Sequence, residues 1–114
     1  MQGKYKNIKA EYNGAVYDSR KEMRRAVALD WMVKASVIRD LERQKAFVLQ
    51  DGYVNNWGEK IRPIQYVADF VYFDNEKGQW IVEDVKSPAT RTDVYRIKKK
   101  LFEAKYPEYW FVES

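Results

Sequence analysis

The chain has 114 residues with 46% hydrophobic, 33% charged and 16% aromatic positions, which suits one folded domain and leaves no room for two. It contains neither cysteine nor histidine, so disulfides, thiol nucleophiles, Ser-His relays and the usual zinc ligands are excluded. A net charge of +4 favours a polyanionic partner; no run long or apolar enough for a membrane span or secretory signal is visible, and a cytoplasmic location is expected.

In chain order, Ile8 to Tyr12 and Ala15-Val16-Tyr17 flank Asn13-Gly14, a pair that supplies the positive φ angles of a tight hairpin. Ser19-Arg20-Lys21-Glu22 then has capping-box spacing, and good helix formers run on to about Ala35. Met23, Ala26, Leu29, Val33 and Val37 form an apolar stripe with Glu22 inside it. The Glu22 carboxylate has two competing roles, capping its own helix or serving a site.

Val37 to Leu41, Ala46 to Leu49 and Ile61 to Ile64 read as separate extended runs, with polar connections through Asp51-Gly52 and Asn55-Asn56-Trp57-Gly58. The strongest strand signal follows. Gln65 to Phe73 and Trp80 to Lys86 are rich in β-branched and aromatic residues around the turn Asn75-Glu76-Lys77-Gly78. Symmetric closure pairs Phe73 with Trp80, Val71 with Val82, Asp69 with Asp84 and Val67 with Lys86.

Two opposed carboxylates would repel unless a cation lay between them. Asp69 and Asp84 therefore suggest a divalent-metal site, with Lys86 as a neighbouring ammonium. Glu83 alternates away, toward solvent or a helix. After a break at Ser87-Pro88-Ala89-Thr90, a helix from about Asp93 to Lys105 is expected to turn Val94, Ile97, Leu101 and Ala104 inward. Pro107 ends it, and Tyr109-Trp110-Phe111-Val112 makes a last, buried strand. The large aromatics, Trp31, Trp80, Trp110 and Phe111 among them, are expected in the core. The expected fold class is α/β (α+β), a mixed central sheet flanked by two helices.

Tyr66-Val67-Ala68-Asp69-Phe70 followed by Glu83-Asp84-Val85-Lys86-Ser87 resembles the PD-(D/E)XK nuclease superfamily, with Ala68 where the motif's name has proline. The resemblance spans nearly the whole chain. Tyr17 to Glu22, Ile61 to Phe70 and Val94 to Phe102 look more closely like a small phage-associated family grouped with Holliday-junction-resolvase-like nucleases. It implies a restriction-endonuclease-like fold and a Mg²⁺- or Mn²⁺-dependent DNA endonuclease acting on branched or duplex DNA in phage replication or recombination. It further implies metal ligands Asp69 and Asp84, the Val85 carbonyl, and Glu22 directly or through water, with Lys86 at the attacking water or the phosphorane, and a homodimer making two cuts. Arg91, Arg96, Lys98, Lys99 and Lys100 are the expected DNA contacts. Gln44 also matches the close family's pattern, with no chemistry assigned. The rival is a non-catalytic nucleic-acid-binding accessory protein on the same scaffold.

Overall fold

The computed structural model describes residues 9–114. Strands β1 (Ala10–Tyr12) and β2 (Ala15–Tyr17) form the expected hairpin, with Asn13 and Gly14 at φ 52° and 79°. Ile8 lies outside the described residues. Helix α1 (Arg20–Lys34) follows, its Ser19 cap accepting from the Glu22 amide. Strands β3 (Ile38–Gln50), β6 (Ile64–Asp74), β7 (Gln79–Asp84) and β8 (Tyr109–Glu113) make a four-stranded sheet in that spatial order. The first two pairings are antiparallel and β8 is parallel to β7, so the sheet is mixed. Between β3 and β6, strands β4 (Tyr53–Val54) and β5 (Lys60–Ile61) build a small separate ribbon. A 3₁₀ turn at Pro88–Thr90 leads into helix α2 (Asp93–Lys105).

Each helix covers one face of the sheet. Tyr17, Ala26, Leu29, Ile38, Phe70, Tyr72 and Ile81 form the core on the α1 side. On the α2 side Phe47, Tyr66, Val71, Val82 and Phe102 pack together with Trp80, Tyr109 and Phe111. The Phe102 ring meets Phe47 at 5.0 Å and Tyr106 at 5.2 Å between centroids, so rings dominate this half. The expected fold class, a mixed sheet with two flanking helices, is what the chain adopts. Among the described residues no helix is long and apolar enough to cross a membrane.

Four local expectations are corrected. Val37–Leu41 and Ala46–Leu49 are not separate runs: apart from Val37 they lie in the single strand β3, which hides its continuity because Asp40 and Gln44 take left-handed backbone at φ 54° and 56° and break the alternation. Helix α2 has the expected bounds but the opposite face inward. It buries Tyr95 and Phe102, whereas Val94, Ile97, Leu101 and Ala104 face solvent. Val33 on α1 is likewise exposed. Trp31 and Trp110 are exposed too, and β8 is an edge strand whose alternate face is only half-buried.

Candidate functional site

The site begins where two strands lose their regular pleat. Tyr66 and Ala68 on β6 point to the α2 side, but Phe70 and Tyr72, at the same parity, point to the α1 side. The facing strand does the same, with Phe47 toward α2 and Leu41 toward α1. Alternation fixes side-chain direction along a regular strand, so both reversals require an irregularity between them. It falls at Gln44, with its positive φ, flanked by the pairs Arg43–Phe70 and Lys45–Ala68. Asp69 stands opposite Gln44 at this point.

On its other side Asp69 meets β7. The backbone pairing follows the expected register from Phe73–Trp80 to Phe70–Glu83 and then stops. Where Asp69 and Asp84 would pair next, their side chains take over. The Asp69 amide donates to Asp84 Oδ1 at 3.1 Å, and the Val85 amide donates to Asp69 Oδ2 at 2.8 Å. Each carboxylate thus occupies a backbone donor of the opposite strand and keeps a second oxygen free for other partners. The expected Val67–Lys86 pair does not form: the β6–β7 pairing ends at Phe70–Glu83, and beyond it the Lys86 amide donates to the Ser114 carbonyl after β8.

Lys86 nevertheless reaches the acids. Its Nζ lies 3.7 Å from Asp84 Oδ2 and 4.2 Å from the centre of the Tyr95 ring, while Lys21 Nζ donates to the Lys86 carbonyl at 2.6 Å. Asp84, only 2% exposed, lines a cavity of about 320 Å³ with Lys86, Val67, Tyr95 and Lys98. The buried Tyr66 hydroxyl borders it without a hydrogen-bond partner among the described residues. Burial, and then the negative field of Asp84, push the Tyr66 pKa upward.

Glu22 is 4% exposed and does not cap its helix. Its Oε2 lies 3.3 Å from Gln44 Nε2 and 3.6 Å from Arg43 Nη2. Gln44 Nε2 is also 3.5 Å from Asp69 Oδ1, so one amide spans the two acids. Arg43 is tied down by its bond to the Val16 carbonyl and by stacking 3.9 Å from the Tyr17 ring. Gln44 therefore gains a role that its identity alone did not reveal, and Arg43 was missed outright. Both depend on a non-local fold and a left-handed glutamine, for which the sequence carries no signal.

The acids are poorly compensated as charged groups. Burial, followed by the nearby Asp69 charge, raises the Glu22 pKa to about 7. Burial also raises that of Asp69 to about 6, against the lowering effect of the Val85 amide. Among the described residues no three acids stand close enough to share one ion. Asp69 and Asp84 are a pair, with Glu22 set back behind Gln44. Oxygen donors carrying negative charge in a partly dry site suit a hard divalent cation.

A stability prediction follows from the acids. Both folded pKa values lie above the ordinary values of 4.5 and 3.8, so the native chain holds more protons than the unfolded chain between about pH 4 and 7. Stability must fall as pH rises through that window. At about 1.4 kcal/mol per pKa unit, with about two units for Glu22 and one for Asp69 above pH 5, the metal-free chain is expected to lose up to about 4 kcal/mol between pH 5 and 8 in urea denaturation, less where solvent screens the acids. The Glu22→Gln, Asp69→Asn double variant should flatten that slope; an unchanged slope would mean these acids are not its source.

The expected DNA contacts divide into two groups. Lys98 faces the Asp84 cavity, whereas Arg91, Arg96, Lys99 and Lys100 line another of about 340 Å³ on the far side of Tyr95. Arg91 also pairs with Glu113 and Arg96 with Asp93, while Lys99 lies over Phe111.

No curated protein and no solved structure matches this chain. A family model does, over residues 2–114, and the chain belongs to that family, described as a protein of unknown function (DUF1064).

Proposed function

We propose that the protein is a metal-dependent DNA endonuclease, with Mg²⁺ or Mn²⁺ held by Asp69 and Asp84. The observation that supports it best is the reciprocal bonding of these two carboxylates at the parting of β6 and β7, with the Lys86 ammonium beside them. The Val85 carbonyl is a further donor and Glu22 an outer carboxylate. When bound, the cation would acidify a water and neutralise charge growing on the phosphate.

The chain's own residues supply the rest. The two backbone amides fix the rotamers of Asp69 and Asp84, so little reorganisation is needed when they grip a cation. Lys86, held between Asp84 and Tyr95 and anchored at its carbonyl by Lys21, presents a donor to the attacking water or a phosphate oxygen. Lys98 shares the cavity and adds a second ammonium. The basic group on the far side of Tyr95 would hold neighbouring phosphates, contacts that set position rather than sequence.

The test is a cleavage panel on duplex, flap and four-way DNA with Mg²⁺, Mn²⁺ and Ca²⁺. Products are expected with the first two ions and fewer with Ca²⁺, whose looser coordination orients water poorly. Lys86→Ala should lower the Mg²⁺ rate at least 100-fold while DNA affinity holds. DNA binding with no products under any ion would leave the accessory-protein reading in its place.

A further inference from the structure

Among the described residues the ribbon of β4 and β5 supplies no side chain to either core, yet its turn is tightly built. Asn55 is the hub. Its side-chain oxygen accepts from the Trp57 and Glu59 amides, its side-chain nitrogen donates to Glu59 Oε1, and its own amide donates to the Glu59 carbonyl, all at 3.0 Å. Gly58, at φ 80°, closes the turn by donating to the Asn55 carbonyl. This network holds up Trp57, which is 88% exposed. Tyr53 and Val54 on the same ribbon are more than half exposed.

A fixed turn presenting a bare indole leaves apolar ring surface in contact with water. Its benefit is preorganisation, since a rigid two-angle side chain loses little freedom when a flat partner lands on it. The ribbon leaves the sheet from the end of β3 and the start of β6, the two strands that carry Gln44 and Asp69. Lys60, paired with Val54 beside the turn, and Arg62, just past the ribbon's base, are exposed cations suited to phosphates on either side of a stacked base. Gln65 and Val67, next along β6, already line the Asp84 cavity, so β6 forms a continuous track from acids to ribbon. Ile64 lies five steps along β6 from Asp69, roughly 17 Å at 3.3 Å each. A stacked strand advances about 3.4 Å per nucleotide, so the track to the foot of the ribbon accommodates about five, and Trp57 lies beyond it across the β4–β5 pairs.

We propose that the β4–β5 ribbon is a second nucleic-acid contact, in which Trp57 stacks on an unpaired base of the same DNA that enters the Asp69–Asp84 site. This rests on the nuclease reading and names its substrate class: DNA with an unpaired segment about five or more nucleotides from the cut. Every base offers a π face, so the contact is indifferent to sequence and selects for bases that are free to stack. A paired, blunt duplex offers none along its length.

The test is binding of the full chain in Ca²⁺ to a duplex with a single-stranded overhang and to a blunt duplex, with 2-aminopurine in the overhang reporting stacking. Base–aromatic stacking is worth about 1–3 kcal/mol, so Trp57→Ala should weaken overhang binding by roughly 5- to 150-fold and restore 2-aminopurine fluorescence. Blunt-duplex affinity should not change, and Trp57→Phe should retain most of the stacking. Gly52→Ala serves as an independent variant. An added Cβ would meet the Ile61 carbonyl oxygen at 2.8 Å, shifting the ribbon with its tryptophan intact, and the same overhang-specific loss is expected. Equal overhang affinity in wild type and Trp57→Ala, an equal loss on both DNAs, or no DNA binding by wild type would overturn the proposal. Trp57-dependent binding without cleavage products in Mg²⁺ would remove the nuclease reading and leave the stacking contact standing.

Discussion

Asp84→Asn is expected to abolish Mg²⁺-dependent cleavage, by at least 1,000-fold, in a chain that folds as the wild type does. The two halves of that expectation come from different atoms. Asp84 Oδ1 accepts the Asp69 amide, and an asparagine oxygen can accept the same bond, so the parting of β6 and β7 keeps its geometry. The charge is another matter. A neutral amide holds a divalent ion far more weakly and does not pair with the Lys86 ammonium 3.7 Å away, and losing one of the two proposed carboxylate ligands removes most of the ion's hold. Asp69→Asn should behave alike, since its oxygen can still take the Val85 amide. Calorimetric titration with Mn²⁺ should show binding lost alongside rate, with the circular dichroism spectrum unchanged. Full activity in purified, folded Asp84→Asn would dispose of the proposed chemistry.

Much of this site was legible because it is local. Asp69 and Asp84 are equidistant from one turn, and β-branched residues on both flanks fix the register that brings them together. The ends of α2 are legible for a similar reason: the Ser87-Pro88-Ala89-Thr90 break precedes the helix and Pro107 follows it, and in the fold Thr92 caps the first turn. Its inward face was not. Four aliphatic positions at helical spacing outweigh two aromatics on a wheel, but in the fold the rings of Tyr95 and Phe102 complete an edge-to-face and tilted cluster with Phe47, Tyr66 and Phe111. Aromatic area and ring geometry decided the orientation. Strand β3 was read as fragments because left-handed backbone at Asp40 and Gln44 leaves no mark in residue type. The same feature concealed the bridge from Glu22 through Gln44 to Asp69. What depends on a turn or a periodicity could be read, whereas a contact made through left-handed backbone between distant strands could not.

The largest effect on stability is expected one residue before the site, at Glu83. Sequence alternation sent it away from Asp84, toward solvent or a helix; it faces the α1 helix and is wholly buried. Arg25 Nε and Nη2 grip both of its oxygens, the Tyr72 hydroxyl donates at 2.6 Å and the Ser114 hydroxyl at 2.8 Å. Burial alone would raise its pKa, yet these donors together hold it below the usual carboxylate range. Such a group contributes stability above its unfolded pKa and loses it as pH falls through the folded value, the opposite sign from Glu22 and Asp69. Glu83→Ala would leave the Arg25 guanidinium without its partner against the sheet and the Tyr72 hydroxyl unsatisfied. Removing one partner of such a pair costs about 3–5 kcal/mol, a large share of what a domain of this size has to lose. Glu83→Gln keeps the volume and some acceptor capacity and should cost less. Cleavage by Glu83→Gln at low temperature should remain within about tenfold of wild type, because the side chain touches neither cavity nor acids; urea midpoints and rates measured on the same preparations check both statements. A Glu83→Ala chain as stable as wild type would show that Arg25 finds water or another acid, and that the joint between α1 and β7 does not depend on this ion pair.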